Sequence, residues 1–583
     1  MTAISFDDLA PDGGDPDDDP SSDVPVPAAI KARPRRKVGM DRSRVRIRLA
    51  ALVFTLAFGA IIGRLVMLGL ADAPAGSSGG SASSAIATGR PDLVDRNGEV
   101  LAADIKTASV YGEPRNIADP DEAAEALATV LPELGVDWLR KRLSGNAGFA
   151  WIKREITPQQ QKKIHALGIP GIGFLTENRR FYPGGPTAAH ILGAVNVDNQ
   201  GIAGIEKSID DKWLSALHAA GFARGEALDP VKLSIDISVQ HILRDELVQA
   251  MQRYRAIAAA GIIINVHTGE IVAMASLPDY DPNNPVDALK PDRLNRVSAG
   301  MFELGSIFKS FTFAMAFDSG LVKMSDSIDA TNAIRVGRFT INDFHGKHRV
   351  LTVPEVFLFS SNIGTARMAL KVGAEGQQAY LKRYGFFGRP ALELPEVGLP
   401  IIPKKWTDLT TMTVAFGHSL AVSPLQVAVA DAALVNGGKL IPPTLFPRTA
   451  EEADKLAVQV AKPETSEQMR YLFALNVEKG SGRRAAVPGY NVGGKTGTAE
   501  KIENGRYAND KRLNSFLAAF PMDDPQYVVL VTLDEPKSEK EGMGATAGLN
   551  AAPTAGAVIR RSAALLGVKP RTVAPDGVVL VSN

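Results

Sequence analysis

Ser306-Ile307-Phe308-Lys309 sets a hydroxyl and an amine three residues apart, which on a helix puts them on one face, a turn apart. Gly305 precedes them, and an apolar-periodic run follows through Phe317 to Gly320. That pattern predicts Ser306 at a helix N-terminus, in the positive end of the dipole. A neutral lysine held against a serine hydroxyl can remove its proton and make a nucleophile without histidine. The amine must then be desolvated or set near another cation, either of which lowers its pKa. Further along, Ser360-Ser361-Asn362 offers two side chains two residues apart in a loop, one to relay a proton and the other to bind an amide. Lys495-Thr496-Gly497-Thr498 follows Gly493-Gly494 and reads as a strand where a substrate backbone can approach closely, with a cation for a carboxylate. Each motif alone has an ordinary explanation: a capped helix with a solvated lysine, turn chemistry at a helix end, or a strand with a glycine bulge.

The elements that must position these groups are legible around them. Gly261 to Val266 and Ile271 to Ala275 flank His267-Thr268-Gly269-Glu270 as a hairpin of buried strands. Asn514 to Phe520 and Tyr527 to Leu533 form a second apolar pair. Residues 304 to 440 read as mostly helical, with Thr352-Val353-Pro354-Glu355 a capping box carrying proline in the first turn. A helix over Pro553 to Leu566 closes the unit. The expected class is α/β (α+β): a β-sheet flanked by helices, with an all-helical lobe. Residues 89–230, mixing short strands with polar helices such as Ala123 to Leu131, form a separate elongated unit before it.

A chain of 583 residues, 45% apolar and 22% charged, is expected to hold more than one folded unit and is not mainly disordered. Its net charge of +1 argues against a general nucleic-acid binder. With no cysteine, thiolate metal sites, disulfides and cysteine nucleophiles are excluded. Residues 1–48 begin with eight aspartates and no basic residue before position 31. Nine lysines and arginines follow between Lys31 and Arg48, against Asp41 alone. Leu49 to Ala71 then gives 23 residues with one charge, Arg64, which as a helix spans roughly 35 Å against a bilayer core of about 30 Å. The basic cluster keeps the N-terminus cytoplasmic, so the rest of the chain lies outside, anchored by a single pass. A cleaved signal peptide is the rival reading, since Ala71-Asp72-Ala73 resembles a cleavage site. Residues 72–88 read as a flexible tether.

Two motifs are decoys. Gly76-Ser77-Ser78-Gly79-Gly80 matches G-x-S-x-G but lies in low-complexity sequence, without the strand and helix that a nucleophile elbow needs. Gly489 to Thr496 matches G-x-x-x-x-G-K-T, yet Gly497-Thr498 follows where a P-loop helix should continue.

The order S-x-x-K, S-x-N, K-T-G is the signature of serine penicillin-recognising enzymes. The chain resembles the class B penicillin-binding proteins, monofunctional peptidoglycan transpeptidases, and most of all their division-specific, FtsI-type branch. The resemblance also rests on Asp95-Arg96-Asn97-Gly98, Arg180-Phe181-Tyr182-Pro183-Gly184, Gly201 to Glu206 and Ser423-Pro424-Leu425-Gln426; Leu304 departs from the proline that many members carry. It implies a cytoplasmic arm (1–48), a transmembrane helix (49–71), a tether (72–88), a dimerisation-like pedestal (89–230), a transpeptidase domain (231–570) and a tail (571–583). It implies Ser306 as nucleophile, Lys309 as general base and Ser360 as proton relay. Asn362, Lys495, Thr496, Gly497 and Thr498 would bind substrate, with the N–H groups of Ser306 and Thr498 as the oxyanion hole. The substrate would be a peptidoglycan stem pentapeptide, β-lactams would trap Ser306, and no metal or cofactor is implied. A polytopic glycan polymerase and other division proteins are the implied partners, and Arg64 is a candidate contact within the membrane.

An elongation-specific transpeptidase is the nearest alternative. A serine β-lactamase would lack the anchor and pedestal, and a β-lactam sensor would need a cytoplasmic signalling domain. Protease added outside the cytoplasmic membrane is expected to cut within residues 72–88 and release a soluble fragment that binds penicillin. Protection of that tether would invert the topology.

Overall fold

Every residue of the strand Tyr527–Asp534 is buried, and its neighbour Ala258–Asn265 is buried at all but its last position. Neither alternates inward and outward, so both faces of their sheet must be covered. The computed structural model describes residues 89–211, 228–503, 506–542, 544–573 and 579–581, together with six positions between 52 and 59. Those six are helical. The remainder of the expected membrane span, the charged arm and the tether with its G-x-S-x-G decoy lie outside the described residues. Among the described residues no helix is long and apolar enough to cross a membrane.

The central sheet has five antiparallel strands: β1 (Ala258–Asn265), β2 (Ile271–Leu277), β3 (Gly493–Glu503), β4 (Arg506–Phe520) and β5 (Tyr527–Asp534), in the order β3-β4-β5-β1-β2. Successive residues feed two cores. Ile262, Ile264, Val528 and Leu530 face one, and Ile263, Val529 and Val531 the other. Helices α1 (Ile237–Tyr254) and, at the chain's far end, Ala551–Ser562 cover the second face. The first face carries the helical lobe: α2 (Lys309–Asp318), α3 (Val353–Leu358), α4 (Asn362–Arg383), α5 (Pro424–Val435) and α6 (Pro463–Lys479). Each fully buried Val, Leu or Ile side chain contributes about 1.5–3 kcal/mol, so this shared core dominates the stability of the unit. The lobe starts where capping residues dictate. Thr352 and Glu355 close a capping box on α3, as Ser423 and Gln426 do on α5.

Three regions differ from the sequence-based expectation. Within 304–440, two short antiparallel ladders interrupt the helices, Ser327–Asp329 with Val350–Thr352 and Ile334–Val336 with Phe339–Ile341. Each is three residues a side, too short for a periodic signal. The closing helix is Ala551–Ser562, starting earlier and ending sooner than expected, because Asn550 caps it through the Ala551 N–H. In the expected tail, Arg571–Val573 pairs with Val579–Val581.

Ahead of this unit, Val100–Gly112 pairs on opposite sides with Ala150–Ile156 and Ile172–Phe181, over a small core that includes Leu127, Leu139, Leu143 and Ile152. Leu93–Val94 and Val231–Lys232 pair in parallel, bringing the start and end of this segment together. Asp95 joins it to the sheet unit by accepting the Ile237 N–H at the start of α1, 3.1 Å. The sequence motifs around Arg180 and Glu206 meet in a largely buried ion cluster. Glu206 accepts Arg90 Nε at 2.8 Å and Arg180 Nε at 2.6 Å, and Arg180 also reaches Asp104 at 3.2 Å. Removing one partner of a buried pair strands the others' charge. Glu206→Gln is therefore expected to lower stability by about 3–5 kcal/mol, read as a fall in the denaturant midpoint of the whole chain. An unchanged midpoint would mean that the carboxylate charge is dispensable.

Candidate active site

Ser306 lies in a 3-10 turn, Gly305–Phe308, from which α2 continues at Lys309. The sequence placed Ser306 at the start of the α-helix itself. The tighter turn arises because Gly305 is held left-handed, φ +57, with its N–H donating to Gly417 O at 3.2 Å. Lys309 is wholly buried, and its Nζ donates to the Ser360 carbonyl and, at 3.0 Å, to Ser360 Oγ. Lys495, also wholly buried, sends its Nζ to the same Oγ at 3.0 Å. It lies 5.6 Å from the centroid of the Phe357 ring, within cation–π range. Thus the first and third motifs meet on the hydroxyl of the second. Among the described residues the half-buried Ser306 hydroxyl has no hydrogen-bond partner; catalytic hydrogen bonds are often loose before substrate arrives.

The electrostatics follow from this burial. Desolvation, and then the neighbouring Lys495 charge, push Lys309 well below the usual lysine range, with Asp343 opposing. Burial pushes Lys495 down to about 7. Ser360 sits left-handed at φ +54, a conformation that non-glycine residues adopt rarely. Asp343 anchors the next turn of chain: its carboxylate accepts Ser361 Oγ at 2.7 Å and the Ile363 N–H at 2.9 Å. Asn362 opens α4 and donates its side-chain amide to Asn342 O at 2.9 Å.

Lys495 to Thr498 lie on β3, the edge of the sheet, paired with Leu517 to Asn514 of β4. An edge strand keeps one row of backbone groups available for a peptide. Gly497 is required by contact, since a Cβ there would stand 2.4 Å from Leu304 O, just before the turn that carries Ser306. Thr496 Oγ1 pairs with Ser481 Oγ at 2.7 Å, and Thr498 Oγ1 accepts the Ala547 N–H at 3.2 Å. Gly493 to Thr496 continue as strand, so the P-loop pattern has no helix to open. Among the described residues no group of three or more His, Cys, Asp or Glu is arranged to hold a metal ion.

Residues 259–559 match the penicillin binding protein transpeptidase domain, and residues 85–213 the penicillin-binding protein dimerisation domain. The chain is 41% identical over 511 residues to the probable peptidoglycan D,D-transpeptidase FtsI of Caulobacter vibrioides, covering 85% of each. The chain belongs to the class B penicillin-binding proteins. It is also 29% identical to the peptidoglycan D,D-transpeptidase FtsI of Escherichia coli K12, over 83% of this chain and 85% of that one. Its fold is that of penicillin binding protein 3 of Mycobacterium tuberculosis in complex with aztreonam, at a TM-score of 0.64 and 24% identity, covering 85% of this chain and 99% of that one.

Within this class B penicillin-binding protein, several site residues carried no signal in the sequence. Asp343 lies in the stretch read as helical, 18 residues before the serine it holds. Phe357, inside α3, and Gly417 and Ser481 belong to no motif. Leu304 in place of proline is buried in the core, and its carbonyl is the atom that Gly497 approaches. The lowered lysine pKa values set a pH dependence. A Lys309 that serves as base must be neutral and a Lys495 that holds a carboxylate must be charged, so on those expected roles acylation by penicillin falls as pH rises above about 7, where Lys495 loses its proton. Lys309→Met is expected to abolish acylation at every pH, whereas Lys495→Met lowers it chiefly by weakening binding. Wild-type acylation rates in both variants would refute the site.

Proposed function

We propose that this protein is a membrane-anchored serine D,D-transpeptidase that cross-links peptidoglycan stem peptides at the division septum. The observation that best supports this is the meeting of two buried lysine amines on the Ser360 hydroxyl, beside the turn that carries Ser306. In this reading Ser306 Oγ attacks the carbonyl of the D-Ala–D-Ala bond while the neutral Lys309 amine takes its proton. The N–H groups of Ser306 and Thr498 hold the oxyanion. The C–N bond breaks, and Ser360 hands the proton on to the departing D-Ala amine, leaving an ester on Ser306. An amino group of a neighbouring stem peptide then attacks that ester, forming the cross-link and freeing the serine. Lys495 and Thr496 bind the substrate carboxylate, Asn362 binds its amide, and Gly497 and Thr498 line its backbone. β-Lactams mimic the donor and stay on Ser306.

The division of the chain accords with the same reading: arm 1–48, membrane helix 49–71, tether 72–88, pedestal 89–230, transpeptidase 231–570 and tail 571–583. Residues 1–48 are cytoplasmic and everything beyond the helix is periplasmic. The partners are a polytopic glycan polymerase and other division proteins. The relatives named FtsI favour division over elongation. The test is covalent labelling with fluorescent penicillin, which Ser306→Ala is expected to abolish in a folded protein. Labelling that survives would refute the nucleophile. A fluorescent fusion is expected at the septum, and an even lateral distribution would assign elongation instead.

A further inference from the structure

The segment that leads into the nucleophile carries an acid that acylation does not use. Glu303 lies three residues before Ser306, between Phe302, bridged to Val422, and Gly305, bonded to Gly417. Its carboxylate accepts the Ser419 N–H at 2.8 Å and the Tyr507 hydroxyl at 3.1 Å. Both donors are neutral, and among the described residues no lysine or arginine pairs with it. Partly buried carboxylates are ordinarily matched by a cation. Ser419 is left-handed at φ +66, a conformation rare for serine, and this places its N–H on Glu303. Tyr507 reaches across from β4, just past the turn from the motif strand β3.

The cluster is close to the catalytic amines. His418, next to Ser419, sets its ring edge-on to Tyr507 at 5.3 Å and to Phe416 at 5.4 Å. Burial above all holds His418 down to about 4, and the charge of a protonated Lys309 would lower it further, so the imidazole is neutral at pH 7. An uncompensated carboxylate, two neutral donors and two aromatic rings beside the nucleophile leave the matching cation to come from a ligand.

We propose that Glu303 receives the acceptor of the cross-linking reaction, binding its amino group as an ammonium ion and taking the first proton from it. This rests on the transpeptidase reading above. An acceptor amine is protonated at neutral pH and cannot attack an ester until it is neutral. Glu303 binds the ammonium through a charge-assisted hydrogen bond. Desolvation raises its carboxyl above the usual carboxylate range, which makes it a better proton acceptor. The first proton passes from nitrogen to Glu303 and on to water. The neutral nitrogen then attacks the acyl carbonyl, so that the C–N bond forms and the bond from carbon to Ser306 Oγ breaks. The second proton passes through the Lys309 amine to the serine oxygen. Ammonium and ester thus become amide, free serine and one proton. Water, the competing acceptor, needs no carboxylate to bind it.

The test uses the full-length protein in detergent, with an acyl-D-Ala thioester as donor and D-alanine as acceptor amine, and measures the ratio of amide to hydrolysis product. Glu303→Gln is expected to lower that ratio by about tenfold, the scale of one charge-assisted hydrogen bond, while fluorescent penicillin still acylates Ser306 within about twofold of the wild-type rate. Tyr507→Phe, which removes a single hydroxyl, is expected to lower the ratio in the same direction by a smaller factor. An unchanged ratio in both variants, or acylation falling in step with transfer, would overturn the proposal and leave the transpeptidase reading standing. Failure of the wild type to form any acyl-enzyme would overturn both.

Discussion

Two lysine amines, wholly buried and without an ion-pair partner among the described residues, share one serine oxygen as acceptor. Two bonds of 3.0 Å to one atom keep the nitrogens within 6 Å of each other. If both were charged they would repel by about 3 kcal/mol even at an effective dielectric of about 20, besides the cost of leaving water. The arrangement is tolerable only if one amine gives up its proton, and a neutral amine is what a lysine base must be. The surroundings favour Lys309 as that amine, because Lys495 keeps the Phe357 ring as a partner for its charge. Much of the nearby structure keeps this pairing in place. Asp343 ties the start of α4, the left-handed backbone of Ser360 aims its hydroxyl inward, and the sheet edge delivers Lys495 from the other side.

The sequence carried those parts of the site that depend on side-chain type and local spacing. Ser306 with Lys309, Ser360 with Asn362, and Lys495 to Thr498 were all legible, as were the strands flanking His267 to Glu270 and the capping box at Thr352. The structure gathers the three motifs within hydrogen-bonding distance. Asp343 was not legible, because a lone aspartate in a loop has no periodicity and its partner lies 18 residues away across a ladder of three-residue strands. Nor was the 3-10 turn at Gly305–Phe308, since it is imposed from outside by Gly417. The Glu303 cluster escaped for the same reason: its three members come from separate segments, and only tertiary pairing brings them together.

The pedestal shows how a motif without chemistry earns its place. Arg180 and Glu206 belong to none of the three motifs, but they are two parts of one buried ion cluster that also takes in Arg90 and Asp104. Arg90 belongs to the chain's entry into the folded unit, and Glu206 sits beside Gly204, whose N–H donates to Glu396 of the transpeptidase unit. Asp95 adds a further link by capping the approach to α1, and Asn283 binds the Tyr182 backbone through both its amide and its carbonyl groups. The two units are therefore joined by directional polar contacts as well as by packing, which gives the seam a defined geometry.

The interlock of glycines around Ser306 has a consequence for how such an enzyme can change under selection. A Cβ at Gly497 would strike the carbonyl of Leu304, one at Gly417 the carbonyl of Gly305 at 2.0 Å, and Gly305 itself is left-handed. Around Ser306 main chain is thus pressed on main chain, and no heritable substitution at these positions can reshape it without moving the serine. Adaptation toward tolerance of an inhibitor must work through exposed side chains instead, such as Phe344 beside Asp343. A compound that confined its contacts to this main chain would meet the part of the protein least able to alter.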